Sequence, residues 1–449
     1  MMGRLAGDQA KLFYEFDLDS RVPGDHLLRK IGSVLDLKDL RRQLKPFYSH
    51  TGRPSIDPEL MIRMLLIGYC YGIRSERRLC EEVSLNLAYR WFCRLGLEDE
   101  VPDHSTFSKN RHGRFRESDI FRHLFEAVVR RCMEARLVGG EGFAIDASVI
   151  EADASRYKRV EDGERIGWSE QQLSMRPVRK YLAAIESENP PTNPSRQPKA
   201  LSPSDPAAAW TTRGRHKVQF AYSLNYLIDT KEAVILDVEA TPTRITKEVE
   251  ATETMIERTR ERLKLWPQRL AADVAYGTGE LLGWLVDRDI DPHIPVWDKS
   301  KREDGTLSRE DFRFDEATDT YTCPAGRTLT TTGRLVNDGA TLLYRGSTKN
   351  CAPCPLKATC CPNSPVRKIP RDIHEGARDR ARMLAGTEAY VRSGRERKKV
   401  EVLFGDAKRN LALTRLRLRG LTGASDEFLL MATVQNLRRL AKQVHRSPM

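Results

Sequence analysis

Val218-Gln-Phe220-Ala-Tyr222-Ser-Leu224-Asn-Tyr226-Leu-Ile228 places a large apolar side chain at every second position. That period belongs to an extended strand with a packed face. Asp229-Thr-Lys-Glu232 reads as a turn, and Val234, Leu236 and Val238 resume the alternation, so residues 217–239 are expected to form an antiparallel hairpin. Working outward, Phe143-Ala-Ile-Asp146 opens a short apolar run that reaches Ile150 on the upstream side. Downstream, a helical stretch at 247–265 leads to Leu270-Ala-Ala-Asp273, a glycine loop Tyr276-Gly-Thr-Gly279 and a helix beginning at Glu280. Strand, hairpin, helix, strand and helix in this order define a mixed α/β layer.

Both flanking strands are expected to finish on an acid. Ala144, Ile145, Ala147 and Val149 bracket Asp146, and a buried aspartate needs a partner or a metal. Asp273 has an equally apolar setting, whereas Asp229 and Asp237 read as turn and strand-edge residues and Asp153 as part of a polar loop. A third acid, Glu401, lies in Arg397-Lys-Lys-Val-Glu401-Val-Leu-Phe-Gly-Asp-Ala-Lys408. Val400, Phe404, Ala407 and Leu411 form one helical stripe, and Arg397, Glu401 and Lys408 share the adjacent face. A surface ion-pair ladder has the same spacing. Three carboxylates can hold two Mg²⁺ ions about 3.5–4 Å apart, with Mn²⁺ as a substitute, as phosphoryl transfer on nucleic acid requires.

Composition agrees with such a partner. The chain has 449 residues, 40% of them hydrophobic, and a net charge of +12 with a pI near 9.3, so a polyanion is the expected ligand. From Arg392 onward, 14 lysines and arginines face only 5 acids around an apolar-periodic helix. The first residues carry no signal-peptide core, and no apolar run is long enough to span a membrane. A cytoplasmic protein, nucleoid-associated when on DNA, is therefore expected, with its nine cysteines as thiols or metal ligands.

Four segments follow from the pattern. Residues 1–137 read as helical. Asp57-Pro58 starts one helix, Ser75 starts another, a third runs from Leu87 to Leu95 before Gly96, and a Ser or Thr cap opens a basic helix over Ser105–Arg114. This arrangement suits a helix-turn-helix-like DNA-binding domain with Ser105, Lys109 and Arg111 as contacts, and equally an ordinary bundle with a basic face. Residues 138–299 hold the first part of the α/β core, interrupted by a Pro-rich loop at 186–209. Residues 300–375 read as a cysteine-rich inserted module, and 376–449 complete the core. Within the module, Cys351-Ala-Pro-Cys354, Cys360 and Cys323 could supply four thiolates to a structural Zn²⁺, with Cys361 spare; free thiols in a loop-rich module are the alternative. Basic residues near the acids, namely His216 and Lys217 before the hairpin and Arg397, Lys408, Arg409, Arg415, Arg417 and Arg419, are the candidates for DNA phosphates.

Taken together, the helical front, Phe-Ala-Ile-Asp146-Ala-Ser, Ala-Asp273-Val-Ala-Tyr-Gly and the Arg397, Glu401, Lys408 series resemble the DDE transposases of bacterial insertion sequences, over residues 25 to 440. The similar branch has a helical N-terminal part, a cysteine-bearing insert and a ribonuclease-H-like core. Where the wider family often has tyrosine, this chain has Gly394. The resemblance implies catalytic Asp146, Asp273 and Glu401 holding two Mg²⁺, hydrolysis at the element ends to free a 3′-OH, and strand transfer into target DNA. It also implies double-stranded DNA partners, the terminal inverted repeats and the target, with a homodimer in a synaptic complex. A catalytically inactive DNA-binding derivative and a non-transposing metal nuclease of the same fold are the alternatives; retention of all three acids argues against the inactive form.

Overall fold

The computed structural model describes residues 16–48, 51, 55–161, 167–187, 200–212, 217–297, 304–337 and 339–444. After three short helices, Leu18–Arg21, Leu27–Val34 and Leu40–Leu44, the helical front follows the capping signals. Asp57 accepts the backbone N–H groups of Glu59 (2.7 Å) and Leu60 (3.2 Å) and so starts α1 (Pro58–Cys70), a helix buried almost all round. Ser75 caps the helix Glu76–Leu85. The next helix, Leu87–Phe92, stops earlier than expected. Arg94 adopts φ 58°, and the Leu95 N–H closes onto the Arg90 carbonyl at 2.9 Å, so the terminator is a left-handed arginine and not Gly96. The following helix, His104–Asn110, is capped by Asp103 in place of the expected Ser or Thr; Asp103 Oδ1 accepts from both the N–H and the hydroxyl of Ser105. A wide turn over Arg111–Phe115 leads on to α2 (Ile120–Glu134).

The sheet is built from β1 (Gly142–Glu151), β2 (Gln219–Asp229), β3 (Ile235–Pro242), β4 (Arg269–Ala271) and β5 (Asp291–His293). The expected hairpin is β2–β3, whose closing turn is held by Asp229. Its carboxylate accepts the N–H groups of Gly139, Gly140 and Lys231, which gives it the structural role expected of it. Asp237 lies on β3, which among the described residues pairs only with β2 and so edges the sheet, but it is buried there and paired to Arg122 and Arg258. The spatial order is β3-β2-β1-β4-β5, antiparallel through β1 and parallel from β1 to β5; a short strand, Ala209–Thr211, also pairs with β2. Helix α3 (Ile245–Leu263) crosses from β3 towards β4, and α4 (Gly279–Val286) joins β4 to β5. Residues 188–199 of the Pro-rich loop lie outside the described residues.

Two long helices close the core, α5 (Glu388–Arg409) and α6 (Leu421–Val444). The stripe read from the sequence is the buried one, with Val400, Phe404, Ala407 and Leu411 all inside. Phe404 stacks on Tyr226 of β2 at a ring separation of 5.0 Å. The Tyr226 hydroxyl donates to Gln435 of α6 (3.0 Å), and the Gln435 amide donates back to the Leu403 carbonyl (2.9 Å), so both helices are pinned to one strand. Before α5, residues 304–372 contribute two small three-stranded sheets around a separate core of Phe312, Tyr321, Leu329, Tyr344 and Ile369. Among the described residues, no helix is long and apolar enough to cross a membrane.

Removing the stacked ring tests the attachment of α5. Phe404→Ala is expected to cost about 3–5 kcal/mol, as for other buried aromatic truncations, and to lower the thermal midpoint markedly. A midpoint within a degree or so of the parent would show that α5 is held by other contacts.

Candidate functional site

Asp146 lies in the middle of β1, since the strand continues to Glu151, so it does not end the strand as the sequence suggested. It is paired in register with Tyr226. On the other side, β1 and β4 run parallel with Ala144 opposite Ala271. Two residues further along each chain come Asp146, still within β1, and Asp273, past the end of β4, and the charge of Asp273 acts on Asp146. Asp273 is just beyond β4, where its Oδ1 accepts the Ala275 N–H (2.9 Å) and caps the single turn Val274–Tyr276.

Glu401 arrives from α5. The Arg397 guanidinium joins the two elements, with Nη1 3.4 Å from Asp146 Oδ2 and Nη2 3.3 Å from Glu401 Oε1. Asp146 is mostly enclosed, at 17% side-chain exposure, whereas Glu401 is 56% exposed and looks outward from the sheet. Burial is the main reason that the Asp146 carboxyl is pushed up to about 6. The Ala147 N–H and Arg397 oppose this rise, and the charges of Asp273 and Glu401 add to it. The charges of Asp273 and Glu401 thus both reach Asp146, and one guanidinium contacts Asp146 and Glu401.

Such oxygen donors suit a hard divalent cation. Among the described residues, however, no three His, Cys, Asp or Glu side chains already converge as a metal-binding group. Arg397 stands between two of the acids, so full convergence requires that contact to open. The cysteines also remain unassembled as a set of three. Cys323 sits in a turn whose Arg327 N–H donates to its sulfur (3.3 Å); Cys351 and Cys354 form a knuckle; and the Cys360 thiol is pushed up to about 11, first by burial and then by its neighbours Cys361 and Cys351.

The basic candidates separate by position. Arg409, Arg415 and Arg417 are exposed and Arg419 is partly exposed; Arg415 and Arg419 both contact Asp153 (3.2 and 2.9 Å), the loop acid left out of the site. Lys217 is exposed, Lys408 is partly covered on α5, and His216 lies outside the described residues. In the helical front, Ser105 and Lys109 face solvent. Arg111 corrects the expectation: it is 4% exposed, ion-paired to Glu76 (2.9 Å) and bonded to the Tyr69 hydroxyl (3.1 Å), so it holds helices together and presents nothing to a phosphate. Two neighbours of the acids escaped the sequence reading. Tyr276 feels the charges of Asp146 and Asp273, and Glu248 of α3, which accepts from Ser223 at 2.7 Å, acts on the same tyrosine.

The raised Asp146 sets a pH dependence. A folded pKa above the unfolded value favours the protonated form, so the associated stability is complete below about pH 4 and is lost as pH rises through about 6. Asp146→Asn removes that titration. It is expected to be the more stable protein at neutral pH by up to about 3 kcal/mol, with the advantage shrinking as the solution is acidified. Thermal midpoints measured across this range check it; a difference independent of pH would show that Asp146 carries no such strain.

Comparison with known families supplies the context for this geometry. Residues 16–113 match the family described as Transposase domain (DUF772), and residues 322–441 match the family described as Transposase DDE domain. The second match takes in Glu401, while Asp146 and Asp273 fall between the two matched segments. No solved structure matches the chain. Carrying both domains in this order, behind a helical front and around a mixed sheet, the chain belongs with the DDE transposases of insertion sequences.

Proposed function

We propose that this transposase cleaves DNA at the ends of its element and transfers the freed 3′-OH into target DNA, using Asp146, Asp273 and Glu401 as the carboxylates for two Mg²⁺ ions, or Mn²⁺ in their place. The observation that carries this reading is the shared guanidinium, which brings Glu401 of α5 to the strand that bears Asp146. The sheet order β3-β2-β1-β4-β5, with its first three strands antiparallel and the rest parallel, supports a ribonuclease-H-like core. The module at 304–372, with its own small core, then reads as an insertion before the helix of the third acid. When bound, the ions supply a polarised water or hydroxyl and neutralise charge on the scissile phosphate.

The chain's own residues prepare that site. Above a pH of about 6, Asp146 is ionised and available as an oxygen donor. Arg397 neutralises the acids in the absence of cations and lies beside them, where it can meet a phosphate oxygen once released. Exposed Lys217, Arg409 and Arg417, with Arg415, Arg419 and Lys408, supply sequence-independent phosphate contacts. Reading of the terminal repeats falls to the helical front, with Ser105 and Lys109 as contacts. Pairing of two element ends calls for a homodimer, acting on DNA in the cytoplasm. A structural Zn²⁺ on Cys323, Cys351, Cys354 and Cys360 is a separate part of the proposal, supported by the backbone N–H donated to Cys323 and by the proximity of Cys360 to Cys351.

Nicking of element-end DNA is expected to require Mg²⁺ or Mn²⁺ and to fall to background in Asp146→Asn, Asp273→Asn and Glu401→Gln, while gel-shift affinity for the same DNA persists. Wild-type cleavage by any one variant would remove that residue from the site. Elemental analysis of the purified protein is expected to find one zinc per chain; its absence would refute the thiolate assignment.

A further inference from the structure

Tyr276 is 1% exposed, and its hydroxyl has no hydrogen-bond partner. A buried donor without an acceptor costs about 1–3 kcal/mol, and such groups are rare enough that each calls for a reason. The ring is held firmly. Its backbone belongs to the one-turn helix that Asp273 caps, and the following residue, Gly277, accepts the Trp297 N–H at 2.9 Å. A Cβ at Gly277 would collide with the Pro295 carbonyl oxygen, so the backbone next to Tyr276 is packed closely against the 295–297 loop.

The surroundings of the hydroxyl are acidic. Glu248, Asp146 and Asp273 all act on it, as does Arg397. Glu248 already accepts from the Ser223 hydroxyl at 2.7 Å. Asp146 offers more: its Oδ1 is engaged by the Ala147 N–H at 2.8 Å, but Oδ2 has only the long 3.4 Å contact with Arg397. Cations that displace Arg397 leave that carboxylate in need of a second donor to fix its orientation, as metal-bound carboxylates generally have.

We propose that Tyr276 is a positioning residue whose hydroxyl donates a hydrogen bond to the Asp146 carboxylate when divalent ions draw that carboxylate away from Arg397. The inference rests on the metal site proposed above. It explains the unpartnered hydroxyl as a donor reserved for the ion-bound arrangement.

The test is Mn²⁺ titration of the full chain without DNA, followed by calorimetry or by the electron paramagnetic resonance of free Mn²⁺. Tyr276→Phe is expected to weaken Mn²⁺ binding about tenfold or more, with a metal-free thermal midpoint equal to or above that of the parent, because no bond is lost. Unchanged Mn²⁺ affinity would overturn the proposal. So would a lowered metal-free midpoint, which would show that the hydroxyl serves a structural bond. Asp146→Asn separates the two layers of argument: if it leaves Mn²⁺ binding intact, the metal site itself is wrong, whereas if it abolishes binding and Tyr276→Phe does not weaken it, only the role of Tyr276 fails.

Discussion

The stacking of Phe404 on Tyr226 is the contact through which the parts of the site meet. Tyr226 is the residue that β2 places opposite Asp146, and Phe404 lies one turn beyond Glu401. A single aromatic pair therefore fixes the distance between a strand acid and a helix acid that are remote in sequence. Directional bonds reinforce it: Tyr226 to Gln435, Gln435 to the Leu403 carbonyl, and Lys399 Nζ to the Thr230 carbonyl at 2.6 Å. Apolar packing alone would allow α5 to slide or rotate, and a one-residue rotation would swing Glu401 through about 100°. The bonds at both ends of the contact restrict that freedom.

Helix α6 extends the same logic to the whole chain. Its buried length packs on α1 and α2 of the helical front and on β3 of the sheet, and one continuous hydrophobic core joins them. Charge pairs at the seam are nearly dry. Arg116 meets Asp426 at 3.2 Å, and Arg74 pairs with Glu427, whose other oxygen accepts the N–H groups of Arg417 and Leu418 at 2.6 Å. Buried ion pairs add little net stability but penalise wrong registers heavily, because a misplaced helix would strand an unpaired charge. The front matched by one transposase family and the back matched by another are thus locked in a single body.

What the sequence revealed and what it concealed divide along range. Period-two alternation identified the β2–β3 hairpin, and the Val400, Phe404, Ala407, Leu411 stripe identified the buried face of α5, because burial of one face writes itself into local spacing. Arg111 was misread for the converse reason. Its partners, Glu76 and Tyr69, lie on earlier helices, and nothing in its own neighbourhood distinguishes a buried arginine from one facing DNA. The left-handed Arg94 and the Asp103 cap were missed because each stood beside a more conventional signal, Gly96 and Ser105. Tyr276 stood in the motif around Asp273 without any local sign that its hydroxyl would be buried and unpartnered, and Glu248 comes near it only because α3 packs on β2 and on the turn after Asp273.

The site itself is a compromise between folding and chemistry. An aspartate in the middle of a central strand, flanked by two like charges, is unfavourable for the empty fold, and its raised pKa records that cost. Arg397 offsets part of it with long, off-centre contacts to two carboxylates at once. Shorter, bidentate pairing to either acid would stabilise the protein further but would hold that acid against any competing cation. A loose, shared guanidinium thus holds Asp146 and Glu401 near each other without a bidentate pair to either, as the proposed metal site requires.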